Sequence, residues 1–252
     1  MAEELHIENL KIPVGISSCL LGEKVRYDGG HKGHSYIRRT LGEYFDFRSF
    51  CPEVTIGLGI PRKPIRLWKN ENDKIRCVSV SDSSLDFTQQ LGDCGDAQYD
   101  WHKHLCGYIL KKDSPSCGME RVKIWDDVMP KREGVGVYAD KLIKNFPYLP
   151  VEEEGRLGDA ILRENFIQRV FAMHRWFKFV SQGLGVGQLA DFHARHKLIL
   201  MSHDQASCRE LGQLVAGTTR ECLLEDSKKY LLGVMSALKK RASRRNHANR
   251  LQ

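Results

Sequence analysis

The sequence predicts an α/β fold: an N-terminal layered, Rossmann-like domain with a mostly parallel sheet, followed by a smaller all-α domain. Three observations carry this prediction. Short apolar runs alternate with helical patterns in the first part of the chain, as they do in layered α/β sheets. Pro147, Pro150, three consecutive glutamates and Gly155 then break the periodicity. Beyond that break the apolar residues recur at helical spacing.

In chain order, residues 14–18 read as a strand, 35–45 as a helix, 65–68 and 76–80 as short strands, 84–104 as a helix and 107–110 as a buried strand. The break over 146–158 divides the chain into domains spanning 1–147 and 148–252. In the second domain Phe166, Val170, Phe171, His174 and Phe177 fall near a helical period, and further helices follow over 189–201 and from Thr219 toward Arg245.

No apolar run approaches the roughly 20 residues that cross a bilayer, and the acidic start of the chain is unlike a signal peptide. A cytoplasmic location and no membrane partner are therefore expected. In a reducing compartment eight cysteines without a Cys-x-x-Cys pair argue against a disulfide framework. The net charge of +7 is unevenly spread, because 17 Lys and Arg face only 11 Asp and Glu from Val151 onward. Lys239, Lys240, Arg241, Arg244 and Arg245 form a cluster without an acidic residue, which is either a solvated helix face or a phosphate-binding surface.

Three cysteines occupy loop sequences suited to hold them: Cys19 in Ser-Ser-Cys-Leu-Leu-Gly, Cys51 in Phe-Cys-Pro-Glu and Cys117 in Ser-Pro-Ser-Cys-Gly. Cys19 and Cys117 each follow a strand candidate, and ligands gather beyond the carboxyl ends of such strands. Three thiolates around a cubane complete three irons and leave the fourth as a Lewis acid, zinc can use the trio with one more ligand, and buried cysteines can also simply pack. The rigid polar loop over 114–118 favours ligation over packing. Cys77, Cys94, Cys106, Cys208 and Cys222 lack such settings and read as structural.

Glu53, two residues after Cys51, is the candidate acid/base, and Ser114 either positions substrate or caps its own loop. Arg26-Tyr27-Asp28-Gly29-Gly30 suits a heterocycle or phosphate, or else is an Asp-Gly turn with an ion pair. Arg62, Lys63 and Arg66 sit on a proline-stiffened loop and would contact phosphates if the substrate is a nucleic acid. His193 and His196 lack the zincin pattern and read as packing or RNA contacts, beside Arg195 and Lys197.

These motifs, Ser18 to Gly22 with Val25 to Gly29, Cys51-Pro52-Glu53 with Gly57 to Arg62, and Lys111 to Gly118, resemble the thiouracil desulfurase family over about residues 13–146. The resemblance implies a 4Fe-4S cluster held by Cys19, Cys51 and Cys117 with one open iron, catalytic roles for Glu53 and Ser114, and substrate contacts from Ser18, Arg26, Tyr27, Asp28, Lys112 and Ser116. Val151 to Leu157, Phe192 to Lys197 and Ala242 to Gln252 resemble a YbgA-type helical domain, whose usual pattern continues past the point where this chain stops. A fusion of the two resembles tRNA 4-thiouridine desulfidases, which implies tRNA as partner and RNA contacts from Arg62, Lys63, Arg66, Arg195, Lys197 and the 239–245 cluster. Free thiouracil or thionucleosides as substrates, and an RNA-binding redox sensor without catalysis, are the competing expectations.

Overall fold

A computed structural model describes residues 11–126 and 129–242. Its elements run β1 (Ile12–Ser17), α1 (Ser35–Arg39), β2 (Phe45–Phe50), α2 (Pro52–Thr55), β3 (Ile65–Lys69), β4 (Ile75–Ser79), α3 (Thr88–Ala97), α4 (Tyr99–His102), β5 (Gly107–Leu110), β6 (Val122–Trp125), β7 (Lys131–Gly134), α5 (Val137–Asn145) and β8 (Val151–Glu153). Four helices follow: α6 (Ala160–Ser181), α7 (Val186–His203), α8 (Gln205–Gly217) and α9 (Leu223–Lys239). The mixed α/β architecture with a helical C-terminal part agrees with the sequence reading.

The first sheet has the order β2-β1-β5-β8 and is parallel throughout. Both of its faces are covered, as parallel strands require. Along β5 the faces alternate: Ile109 joins the core beneath α6, whereas Tyr108 and Leu110 pack with Tyr138, Ala139 and Leu142 of α5. Glycine makes two of these approaches possible. A Cβ on Gly107 would lie 2.7 Å from Val170 Cγ2 of α6, and one on Gly15 would lie 2.4 Å from the Tyr108 ring.

A second sheet has the order β4-β3-β6-β7, with β3 antiparallel to β4, parallel to β6, and β6 antiparallel to β7. Leu67, Cys77, Val122 and Ile124 on its inner face pack with Leu91 of α3. The strands expected at 65–68 and 76–80 are therefore a hairpin in this separate mixed sheet, not members of the parallel one.

Two further differences matter for the site. The helix expected over 35–45 ends at Arg39, and Phe45–Phe50 is an edge strand whose Phe-Asp-Phe-Arg alternation has strand period. The glutamates in the expected break are partly structural: Glu152 and Glu153 are 3% and 2% exposed on β8, ahead of which the 147/148 boundary falls. Glu152 accepts from Arg156 Nε at 2.6 Å, and Glu153 Oε1 accepts the Met119 amide at 2.8 Å. Asp159 caps α6 by accepting from Ile161 N and Leu162 N at 2.8 and 3.1 Å. From there Phe166, Val170 and Met173 continue the core of the first sheet into the helices.

Behind β5 a polar chain is buried among aromatic rings. His102 Nε2 lies 2.7 Å from Tyr138 Oη, which lies 3.2 Å from Tyr108 Oη. Burial lowers the His102 pKa from 6.5 to about 4, so the folded protein resists a proton that the unfolded chain accepts. Stability from this residue is full above pH 6.5 and is lost as pH falls toward 4, a change of roughly 3 kcal/mol. Urea denaturation of His102→Gln is expected to show a flatter dependence than wild type across that window; parallel curves would show that His102 is not the group responsible.

Candidate active site

Cys19, Cys51 and Cys117 follow the carboxyl ends of β1, β2 and β5, which are three adjacent strands of one parallel sheet. Register brings these ends level, with Ser17 opposite Phe50 and Ile16 opposite Ile109. Cys19 lies in a 3-10 turn, Ser18–Leu21, closed by Gly22 in the left-handed region. Its carbonyl accepts from the Lys32 amide at 2.9 Å. Cys51 precedes Pro52, which starts α2 at a position where a missing N–H costs nothing.

The loop holding Cys117 is organised by Ser114. Its Oγ accepts from the amides of Ser116 and Cys117 at 3.3 and 3.1 Å, and its carbonyl accepts from Gly118 N at 2.8 Å. A Cβ on Gly118 would lie 2.8 Å from that carbonyl oxygen, so the turn excludes a side chain. Ser114 thus caps its loop as one of its two expected roles requires.

All three cysteines line a cavity of about 380 Å³, together with Ser17, Ser18, Arg26, Tyr27, Glu53, Arg62, Lys111, Lys112, Ser114 and Ser116. None of the three is in a disulfide. Burial pushes the Cys19 thiol up to about 11, with Lys111 pulling the other way and Cys51 adding to the rise. Burial likewise raises Cys117, again reinforced by Cys51, and raises Cys51, where the Val54 amide opposes it. These thiols are soft donors whose ionisation needs a cation beside them. Among the described residues no three Cys, His, Asp or Glu side chains are arranged to hold a single metal ion.

Glu53 sits at the junction of the loops. Its Oε1 accepts from Ser116 Oγ at 2.6 Å, and its Oε2 accepts from Arg62 Nε and Nη2 at 2.9 and 2.7 Å. Ser116 Oγ lies 3.0 Å from Ser114 Oγ and 3.5 Å from Cys117 Sγ. A continuous hydroxyl path therefore joins Glu53 to the Cys117 loop. Arg62, expected as an RNA contact, is turned inward instead: its side chain is 6% exposed, and Nη1 also donates to Val25 O and Gly59 O at 2.9 and 3.1 Å.

The remaining expected residues divide clearly. Ser18, Arg26, Tyr27, Lys112 and Ser116 line the cavity, with Arg26 5.4 Å over the Tyr27 ring. Asp28 does not line it; its carboxylate accepts from Gly30 N at 3.0 Å and pairs with Arg26, the plain-turn arrangement. Lys63 is exposed and Arg66 lies on the second sheet. Arg195 and Lys197 on α7, and Lys239, Lys240 and Arg241 at the end of α9, are exposed and none lines this cavity. Lys240 pairs with Asp204. Arg244 and Arg245 lie outside the described residues. His196 stacks on Phe192 at 4.0 Å and donates from Nδ1 to its carbonyl, and His193 Nδ1 lies 3.1 Å from Tyr230 Oη, so both histidines pack.

Sequence reasoning missed Lys111 and Ser17. The Lys111 amide donates to Ser17 Oγ at 3.1 Å, and its ammonium pairs with Glu154, whose other oxygen accepts the Lys112 amide at 2.7 Å. Glu154 carried no signal, since it lay in a run read as a break between domains.

The family model for 2-thiouracil desulfurase matches residues 14–154, which takes in all three cysteine loops and more than half of the chain. The chain belongs to the 2-thiouracil desulfurase family. A second model, a protein of unknown function (DUF1722), matches residues 197–252. The uncharacterized protein YbbK of Bacillus subtilis is 28% identical over 151 residues, covering 58% of this chain and 98% of that protein. The uncharacterized protein YbgA of Escherichia coli is 36% identical over 82 residues, 32% of this chain, and the match spans 48% of its own length. The solved structure of the [4Fe-4S]-dependent thiouracil desulfidase TudS shares 29% identity over 59% of this chain and 94% of that one, with a TM-score of 0.47.

In this desulfurase-family site the Glu53–Arg62 pair is 13% and 6% exposed, so removal of the guanidinium strands a carboxylate largely out of water. Arg62→Met is expected to lower stability by roughly 1.5–3 kcal/mol, the range for hydrogen bonds to a charged group. A urea-denaturation double-mutant cycle with Glu53→Gln should show that most of this effect is shared; additive effects would mean the two side chains act independently.

Proposed function

We propose that this chain is an iron–sulfur desulfidase that converts the thiocarbonyl of 4-thiouridine in tRNA to a carbonyl, releasing hydrogen sulfide. The observation that carries the reading is the meeting of three thiols outside any disulfide, Cys19 and Cys117 buried and Cys51 half-buried, beyond the ends of adjacent strands and around one cavity that also holds Glu53. This donor set fits a 4Fe-4S cluster: all three donors are soft thiols lining one cavity, and in a cubane each binds a different iron. Cys19, Cys51 and Cys117 would be its ligands. Bound there, the cluster supplies one incompletely ligated iron, a Lewis acid with affinity for the sulfur of a thiolated pyrimidine.

The chain's own groups supply the rest. Water adds to the ring carbon and loses a proton, and sulfur leaves as hydrogen sulfide, so the conversion needs no net electron transfer. Glu53 takes the proton, directly or through Ser116 Oγ, which already donates to its Oε1, and returns it to the departing sulfur, so that both protons of the water leave in hydrogen sulfide. Arg62 fixes the carboxylate plane, so its reactive oxygen is positioned before substrate arrives. Ser114 holds the Cys117 loop and, through Ser116, the hydroxyl path. Tyr27, 43% exposed at the cavity mouth, offers a ring on which a pyrimidine stacks, and Lys112 and Arg26 offer cations to its oxygens or phosphate.

The excess positive charge from Val151 onward favours tRNA over a free base as substrate. Anaerobically prepared Glu53→Gln is expected to keep wild-type iron content and visible absorption but lose about 10²- to 10⁴-fold in hydrogen sulfide release. Cys51→Ser is expected to lose both. Full turnover by Glu53→Gln would remove its assigned role, and a colourless wild-type protein containing zinc would overturn the cluster. Equal or faster turnover of free thiouracil than of thiolated tRNA would move the assignment to the small substrate.

A further inference from the structure

The outer face of the second sheet is built unlike the rest of the surface. Because Leu67 and Ile124 are buried on the inner face, their neighbours Arg66, Trp68, Lys123 and Trp125 point to the other side. Trp68 and Trp125 are paired across the parallel β3–β6 register. The Arg66 guanidinium lies 4.5 Å over the Trp68 ring and 6.0 Å from that of Trp125, and Lys123 Nζ lies 5.8 Å from Trp125. Arg66 Nε is buried without a hydrogen-bond partner, and neither Arg66 nor Lys123 has a carboxylate partner among the described residues.

This face is continuous with the active site. A groove of about 250 Å³ runs along it and shares Ile65, Asp113 and Pro115 with the cavity that holds the cysteines. We infer that the outer face of the second sheet binds the nucleotides flanking the reacting base, as a stacking platform for a single-stranded RNA segment. Alternating aromatic rings and cations on a sheet match that ligand: bases stack on rings and on guanidinium planes, while the cations meet phosphates. Charge complementarity selects a polyanion, the paired tryptophans select one with flat faces, and the shared groove lets the strand continue from the cavity. The inference rests on the reading of the substrate as RNA and specifies where that RNA lies, on a surface separate from the basic helical end.

Intrinsic fluorescence of the full chain, titrated with a single-stranded oligouridine carrying one 4-thiouridine, tests it. Binding should quench tryptophan emission, and the quench should shrink in Trp68→Phe and Trp125→Phe. Trp125→Ala should weaken binding on the order of 10- to 100-fold. Lys123→Gln, at an exposed position that is safe for folding, should make the salt slope of log K shallower by about 0.7, the increment for one phosphate no longer neutralised. Iron content and thermal midpoint serve as folding controls. Wild-type affinity and quench in all four variants would overturn the platform while leaving the desulfidase intact. Equal competition by polyglutamate would reduce it to a bare charge surface and overturn it as well. A wild type that neither binds thiolated tRNA nor releases sulfide from it would refute the RNA substrate itself, whereas one that acts on thiolated tRNA but does not bind the single-stranded oligonucleotide would overturn the platform alone.

Discussion

The parallel pairing of β1 with both of its neighbours is the constraint on which the rest depends. Parallel strands leave the sheet in one direction, so the segments after β2, β1 and β5 emerge side by side although they are far apart in sequence. Slippage of one residue in either pairing would turn every side chain to the opposite face and carry the apolar positions of β1 out of the core. Burial therefore fixes the register, and the register fixes where the thiols meet. Gly15 and Gly107 belong to the same constraint, because they let Tyr108 and α6 close on the sheet from either side.

Within that frame a single carboxylate ties the loops together. Glu53 comes from the β2 loop, Ser116 from the β5 loop and Arg62 from the segment before β3, and Arg62 reaches on to the carbonyl of Val25 in the β1 loop. Buried charge is a weak source of net stability, since desolvation offsets most of the attraction. Its value here is positional: four segments that loop entropy would otherwise scatter are joined through one carboxylate and the guanidinium paired with it. The same network explains why Arg62 is not a surface phosphate ligand. A guanidinium with three acceptors already in place has little capacity left for an exchangeable partner.

How much of this was legible in the sequence depended on whether the signal was local. The cysteine loops and the Ser114 cap were legible because Pro, Gly and Ser state local geometry directly, and the buried strand 107–110 because it is a short apolar run. The α/β class followed from alternation alone. The edge strand β2 carries no clear signal of its own, since it starts at the last residue of the helix expected over 35–45 and its pattern of alternate phenylalanines is short. The second sheet was invisible as a separate unit, because pairing partners are a non-local property that short strands do not declare. Glu154 and Arg62 were misread for a common reason: long charged side chains near loops are usually solvated, and only the packed structure shows them turned inward.

Two basic regions remain, and they suit different tasks. The end of α9 carries exposed cations, but Lys240 is held by Asp204, and the cluster does not line the cysteine cavity. Such a surface attracts a polyanion at long range, within a screening distance of about 10 Å, without setting which nucleotide is read. The second sheet shares its groove with the cavity, and its rings and cations act at contact distance. In the proposed reading, capture would thus belong to the helical part and placement to the sheet. Extruding a base from its stack costs a few kcal/mol, and neighbouring nucleotides stacked on Arg66, Trp68 and Trp125 would replace the interactions that the extruded base gives up. That exchange is effective only near the cavity, and the groove lined by Arg66 and Trp125, with Trp68 paired to Trp125, shares Ile65, Asp113 and Pro115 with it.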